Sequence, residues 1–491
     1  MNPLKKLASQ TAIYGLPTII GRLLNYLLNP LFAYSFSTTE MGVVTSGYAY
    51  VSFLMIFLTY GMETALFRFS QTEENKHKVY TTALISLLFT STFFILMASI
   101  YAPTIANAIK FTGHSEYVVW FAIIIGVDAL TAIPFAKLRE QNRAKRFALI
   151  KTINIVVNIG LNLFFILFCK RISEGPDSFF KPFVNLVYSP AIGVGYIFIS
   201  NLLASSVALA LLSPELSRLK LVFDKVLWKR MIYYAMPLLI AGLAGMVNET
   251  LDRVLLIYLL PEKQALSQAG IYGSCYKISI IMTIFIQTFR FAAEPFFFNH
   301  AKEKDARNTY AVIMKYFVII CSLIFLGTMV NIQWIKYFAG PAEFRSGIKV
   351  VPILLMANLF LGIFFNQSIW YKLTGQTRFG AFLALFGATI TVVLNIYLIP
   401  RMGYLGCAWA TFFCYASMMV ASYLLGNKHY PVNYDLKRIL SYIILSVALY
   451  FISTFIKTTA NVIMLLLKNG LLICFIGIAW MVEKNNLKKL Q

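Results

Sequence analysis

Three stretches of this chain carry charge where charge is costly. VNETLDRVLL (247–256) continues the apolar run MPLLIAGLAGM (236–246), so Glu249, Asp252 and Arg253 stand in one greasy helix. FIQTFRFAAEPFFF (285–298) carries Gln287, Arg290 and Glu294 on one face, with Lys277 further up the same helix. Near the start, Thr18, Arg22, Asn25, Tyr26 and Asn29 fall at i, i+4, i+7, i+8 and i+11, a single polar stripe. A charge at a bilayer centre costs roughly 2.5–3.5 kcal/mol on insertion scales, so such side chains face protein or a watery cavity.

The residue types indicate two kinds of chemistry. Arg22, Lys277, Arg290 and Arg253, with Asn25, Tyr26 and Asn29, suit an anionic, hydroxyl-rich ligand, because guanidinium binds phosphate bidentately. Glu63, Glu249, Asp252, Glu294 and Asp128 are candidates for a coupling proton or sodium ion. A plainer reading competes with each. Glu249–Arg253 and Arg290–Glu294 are i,i+4 and can neutralise one another. Arg68 and Lys151 fit interfacial anchors, and each intramembrane tyrosine taken singly fits packing. Arg22 has no acidic neighbour within its helix. Pro17 and Pro237 each sit at least a turn into a long helix, where proline weakens the hydrogen-bond ladder; both are hinge candidates.

The elements that must position these groups are membrane helices. The chain has 491 residues, 59% hydrophobic and 13% charged, with a net charge of +23. Soluble domains are about a quarter charged. The basic residues are dispersed between apolar segments and form no patch for nucleic acid. The six cysteines fall inside apolar segments and the four histidines are scattered, so no disulfide framework, metal site or cofactor is expected. MNPLKKL precedes an apolar segment too long for a signal peptide and reads as the lead into a retained helix.

An all-α polytopic protein with fourteen spans is expected, at about 20 apolar residues per span. They lie at 11–34, 41–67, 79–102, 116–137, 147–169, 190–212, 231–260, 266–298, 309–331, 348–371, 377–399, 403–425, 438–456 and 460–482. An even count puts both termini on one side. The loops on that side, including Lys76, Lys137, Arg143, Arg230 and Lys372, hold more than twice as many basic residues as the opposite loops. That side is therefore expected to be cytoplasmic. The loops are short and leave no room for an extramembrane catalytic domain.

The chain also repeats itself. AIYGLPTIIGRL (12–23) matches IYYAMPLLIAGL (232–243); GVVTSGYAYVS (42–52) matches GIYGSCYKISI (270–280), aligning Gly42 with Gly270; IGVGYIFIS (192–200) matches MGYLGCAWA (402–410). An offset of six spans gives two units of the same orientation, related by an axis along the membrane normal. The expected division is a six-helix lobe at 1–213, a second at 214–426, and two additional helices with a tail at 427–491. The charged spans are the first two of each unit.

SQTAIYGLPTIIGRLLNYLL (9–28), YGMETALFRFSQ (60–71), MPLLIAGLAGMVNETLDR (236–253) and the segment 270–298 resemble Wzx-type oligosaccharide flippases of the multidrug/oligosaccharidyl-lipid/polysaccharide exporter superfamily. The resemblance runs along essentially the whole chain and rests on overall pattern, since no short catalytic motif defines that family. It implies a V-shaped pair of six-helix lobes with two extra helices. It further implies movement of a polyprenyl-diphosphate-linked glycan (an O-antigen, capsule or exopolysaccharide unit) from the cytoplasmic to the periplasmic leaflet of a bacterial inner membrane. The diphosphate would meet Arg22, Lys277 and Arg290, the lipid tail would stay in the bilayer, and an ion gradient would drive cycling. Candidate partners are membrane lipids and polysaccharide polymerase or export proteins. Two sister activities compete: a multidrug/cation antiporter, which calls for a more acidic cavity, and a lipid II flippase, which cavity charge does not separate. An enzyme is disfavoured because no loop carries paired carboxylates or a histidine cluster.

Overall fold

A computed structural model describes residues 19–21, 23–217, 222–301, 303, 305–456 and 461–487, and among these there is no strand. Pro17 and Arg22 lie outside the described residues, as does much of the first expected span; residues 23–27 and Asn29–Ser35 of it are helical. Among the described residues twelve helices are long and apolar enough to cross a membrane, and each answers to one expected span. The remaining expected span, 190–212, is the 17-residue helix Gly195–Leu211, preceded by a tight turn at Pro190–Ile192. The chain is an all-helical membrane protein.

The long helices are α1 (Thr38–Thr59), α2 (Met62–Thr72), α3 (Lys76–Ile100), α4 (Ser115–Glu140), α5 (Ala144–Asn162), α6 (Gly195–Leu211), α7 (Lys225–Leu259) and α8 (Glu262–His300). They continue with α9 (Ala306–Val330), α10 (Val350–Gln367), α11 (Arg378–Met402), α12 (Tyr404–His429), α13 (Leu436–Phe455) and α14 (Asn461–Leu487). Exposed apolar side chains such as Phe89, Tyr233, Leu424 and Phe455 stud their outer faces, as lipid contact requires.

Two departures from simple helices have local causes. The expected span 41–67 is two helices, α1 and α2, broken where Tyr60 and Gly61 turn left-handed at φ 32° and 69°. Glycine tolerates that conformation. A Cβ on Gly61 would stand 3.2 Å from the carbonyl oxygen of Ala235, so the break also lets α7 approach just before Pro237. The α7 helix runs unbroken through Pro237. The expected span 147–169 ends in a wider turn at Leu163–Cys169, the π-type widening that relieves a strained ladder.

The chain forms two compact units, 1–273 and 274–491, so residues 214–273 pack with the first unit, and α8 contributes to both. In the first unit, one core joins α2, α3, α4 and α7 through Met62, Leu66, Val79, Leu87, Ile133 and Met231. A second contact is reciprocal. A Cβ on Gly42 of α1 would press on the carbonyl of Leu266, and a Cβ on Gly270 of α8 would press on the carbonyl of Thr38. Each glycine thus faces the residue four before the other, the i/j, j/i exchange of a local two-fold relation. Such small-residue crossings let backbones touch where lipid offers no hydrophobic drive.

In the second unit, α10 packs on α12 through Ala357, Phe364, Cys414 and Met418. The two C-terminal helices are tied in rather than appended. Glu483 of α14, 2% exposed, is ion-paired with Lys315 of α9 and, at 3.2 Å, with Arg438 of α13. The Tyr442 hydroxyl donates to the same carboxylate at 3.0 Å. Neither Lys315 nor Glu483 has a partner within its own helix, so their pairing is made by the packing of α14 on α9.

Candidate functional site

In the first unit, the charged stretch of α7 divides by face. Asp252 is 4% exposed. Its carboxylate accepts a hydrogen bond from the Tyr272 hydroxyl at 2.6 Å and from the Arg253 backbone N–H at 2.8 Å, which satisfies a buried acceptor. Arg253 is half-buried and interacts with that charge. Glu249 is exposed and, among the described residues, has no hydrogen-bond or ion-pair partner. The i,i+4 pairing of Glu249 with Arg253 is therefore not formed.

The stripe of the first helix shows the same alternation: Asn29 is buried, Tyr26 half-buried and Asn25 exposed. The Asn25 side-chain oxygen accepts from Asn158 of α5 at 3.5 Å. Asp128 of α4 is half-buried and interacts electrostatically with Lys151 of α5, whose ammonium lies 4.2 Å over the Phe135 ring. Lys151 is thus engaged by the bundle. Tyr48 accepts from Asn201 at 3.0 Å inside an aromatic nest of Phe121 and Phe198. Glu63 sits in the first turn of α2, where the helix dipole favours an acid, and is ion-paired with Arg139 of α4.

In the second unit, Lys277 is half-buried on α8. Further along α8, about 15 Å before its end at His300, the Arg290–Glu294 pair forms at 3.4 Å. A third member joins it. Lys372, which closes the span begun at Ala342, approaches the same Glu294 oxygen at 2.7 Å. The Arg290 guanidinium also lies 4.2 Å over the Phe365 ring. Two cations thus share one carboxylate, with side-chain exposures of 37% for Arg290, 38% for Glu294 and 27% for Lys372. The cluster carries a net positive charge, is partly exposed, and keeps Arg290 Nη1 without a partner among the described residues. An anion can add to it without first displacing the carboxylate.

Lys372 was legible only as a basic residue at a loop. Its one available signal was position, a cation directly after the apolar end of a span. Pro295 sits inside α8 one residue after Glu294 and deletes a backbone donor there. Among the described residues no group of three or more His, Cys, Asp or Glu side chains could hold a metal ion.

Residues 7–299 match the family described as polysaccharide biosynthesis protein. An uncharacterized membrane protein of Methanocaldococcus jannaschii is 21% identical over 426 residues, covering 82% of this chain and 80% of its own. The fold resembles that of the lipid II flippase MurJ in an inward closed conformation, with TM-score 0.72 at 14% identity, covering 96% of this chain and 99% of that one. It also resembles an outward-facing multidrug resistance MATE transporter, with TM-score 0.58 at 14% identity, covering 89% and 96%. The chain belongs to the polysaccharide biosynthesis protein family, an integral membrane protein with the fold of the multidrug/oligosaccharidyl-lipid/polysaccharide exporter superfamily.

Proposed function

We propose that the protein is a flippase that carries a polyprenyl-diphosphate-linked oligosaccharide from the cytoplasmic to the outer leaflet of the cytoplasmic membrane by alternating access. The observation that carries this reading is the Arg290–Glu294–Lys372 cluster, a partly exposed, net cationic site on a polysaccharide biosynthesis fold. A diphosphate has the charge and the fork geometry that Arg290 and Lys372 accept together. On this reading Lys277 and Arg253 add positive charge along the path, Arg22 and the Asn25, Tyr26 and Asn29 stripe contribute donors, and Pro17 and Pro237 are bending points. Asp252 and Asp128 are the stronger candidates for a coupling proton or sodium ion. Glu63 and Glu294 are already engaged by cations, and Glu249 is open to the surroundings. The repeat division at 213/214 and 426/427 belongs to this reading, as do cytoplasmic termini.

A second reading, flipping of lipid II itself, is favoured by the structural likeness to MurJ. The test is transbilayer movement in proteoliposomes of two lipid diphosphates, one bearing an oligosaccharide repeat unit and one being lipid II. Movement of the first, slowed in Arg290→Ala and Lys372→Ala variants that still fold, supports the proposal. Movement of lipid II alone assigns the second reading. Efflux of organic cations with neither lipid moved would place the protein with the antiporters.

A further inference from the structure

The first unit holds a cavity of about 230 Å³, mostly apolar in its wall but edged by several polar side chains, that the transport reading leaves unused. It lies where α2 ends, α3 begins and α4 ends, lined by Ser70, Lys76, His77, Tyr80, Lys137 and Glu140. The Lys137 ammonium rests 4.0 Å over the Tyr80 ring and, among the described residues, has no hydrogen-bond or ion-pair partner. A ring face occupies one of its three donors and leaves two. Ser70 is 3% exposed, and its hydroxyl likewise has no partner among the described residues although it lines the cavity. Glu140, the one acid among the lining residues, is taken up by Lys76 at 3.0 Å, and Glu215, which also acts on the Lys137 charge, is ion-paired with Arg143 and Arg146. The first-turn amides of α3 at Lys76 and His77 add the positive end of a 25-residue helix. Two unsatisfied donors, a helix N-terminus and a neutralised acid make a receptor for a small anion. The space is below the roughly 300–1,000 Å³ of pockets that enclose drug-sized ligands. It therefore suits a single phosphate group and not an entire lipid-linked glycan.

We propose that this cavity is a second phosphate-binding site, separate from the Arg290 cluster and filled by an anionic phospholipid headgroup or by free phosphate. Its loops are those expected at the cytoplasmic boundary, where headgroup phosphates are abundant.

The experiment measures thermal unfolding of the full chain in nanodiscs. One arm titrates sodium phosphate into pure phosphatidylcholine discs; the other replaces part of the phosphatidylcholine with phosphatidylglycerol. The wild type is expected to be stabilised in at least one arm. Stabilisation by phosphatidylglycerol alone names the headgroup, and stabilisation by sodium phosphate names the free ion. Lys137→Met should raise the half-saturating concentration about tenfold to a hundredfold and Ser70→Ala about threefold to tenfold. Lys137→Arg should leave it unchanged. If Lys137→Met does not fold, Ser70→Ala decides. No stabilisation of the wild type in either arm, or wild-type binding by Ser70→Ala and Lys137→Met, overturns the site, as does loss of binding in Arg290→Ala.

Discussion

Replacing Gly42 with alanine tests the helix crossing on which the first unit is built. The new Cβ would stand 2.6 Å from the carbonyl carbon of Leu266 and 2.9 Å from its Cα, where ordinary contact begins at 3.4 Å. The carbonyl oxygen is nearer still, and all three atoms are backbone, so the helices must part by more than about 1 Å. A gap of 0.5–1 Å forfeits roughly a quarter to a half of each dispersion contact along the seam. The Thr38–Ser267 hydroxyl bond, 2.8 Å long, would stretch beyond hydrogen-bond range. Overpacking of this kind costs about 1–3 kcal/mol, the lost hydroxyl pair about 1, and alanine's better helix propensity returns about 1. The expected net loss is about 1–3 kcal/mol, read as reversible unfolding in mixed detergent micelles. Gly270→Ala must cost about the same, since its Cβ would meet the Gly42 nitrogen at 2.8 Å across the same seam. One opening accommodates both, so the double variant should lose little more than either single one. Gly245→Ala, with open space around its Cβ, is the neutral control. If Gly42→Ala is as benign as Gly245→Ala, or if the two losses simply add, the shared close approach is wrong.

Glu294→Gln removes the carboxylate shared by Arg290 and Lys372; diphosphate lipid should bind more tightly and turn over more slowly, seen as a lower apparent KM with a lower maximal rate in proteoliposomes. Lys372→Met should instead weaken binding about tenfold while leaving the fold intact. Glu483→Ala strands the buried Lys315 and should cost about 3–5 kcal/mol, whereas Lys315→Met combined with Glu483→Leu should recover most of it; urea unfolding of the two variants decides. Asp224 caps α7 and binds Lys78 at 2.6 Å. The Lys78 hydrogen bond and then the Leu227 N–H hold its pKa down from 3.8 to about 2. A depressed acid stabilises above its unfolded value and loses that stabilisation as pH falls through its folded one. The stability advantage of wild type over Asp224→Asn should therefore shrink between pH 3.8 and about 2 in an acid titration.

The all-helical class, the position of most spans and membrane residence were legible in the sequence, because twenty apolar residues in lipid have no other way to satisfy their backbone. The Arg290–Glu294 pair was legible too, since i,i+4 spacing is a property of one helix. So was the kinship of Gly42 and Gly270, though not that they meet. What sequence could not supply was every partner drawn from another helix: Lys372 for Glu294, Arg139 for Glu63, Tyr272 for Asp252, and Glu483 for Lys315. The break at Tyr60–Gly61 was hidden for the same reason, because the α7 helix that packs against it comes from far along the chain. Periodicity fixes which face of a helix is polar. Which charge that face meets depends on packing between distant segments, and only the tertiary structure decides it.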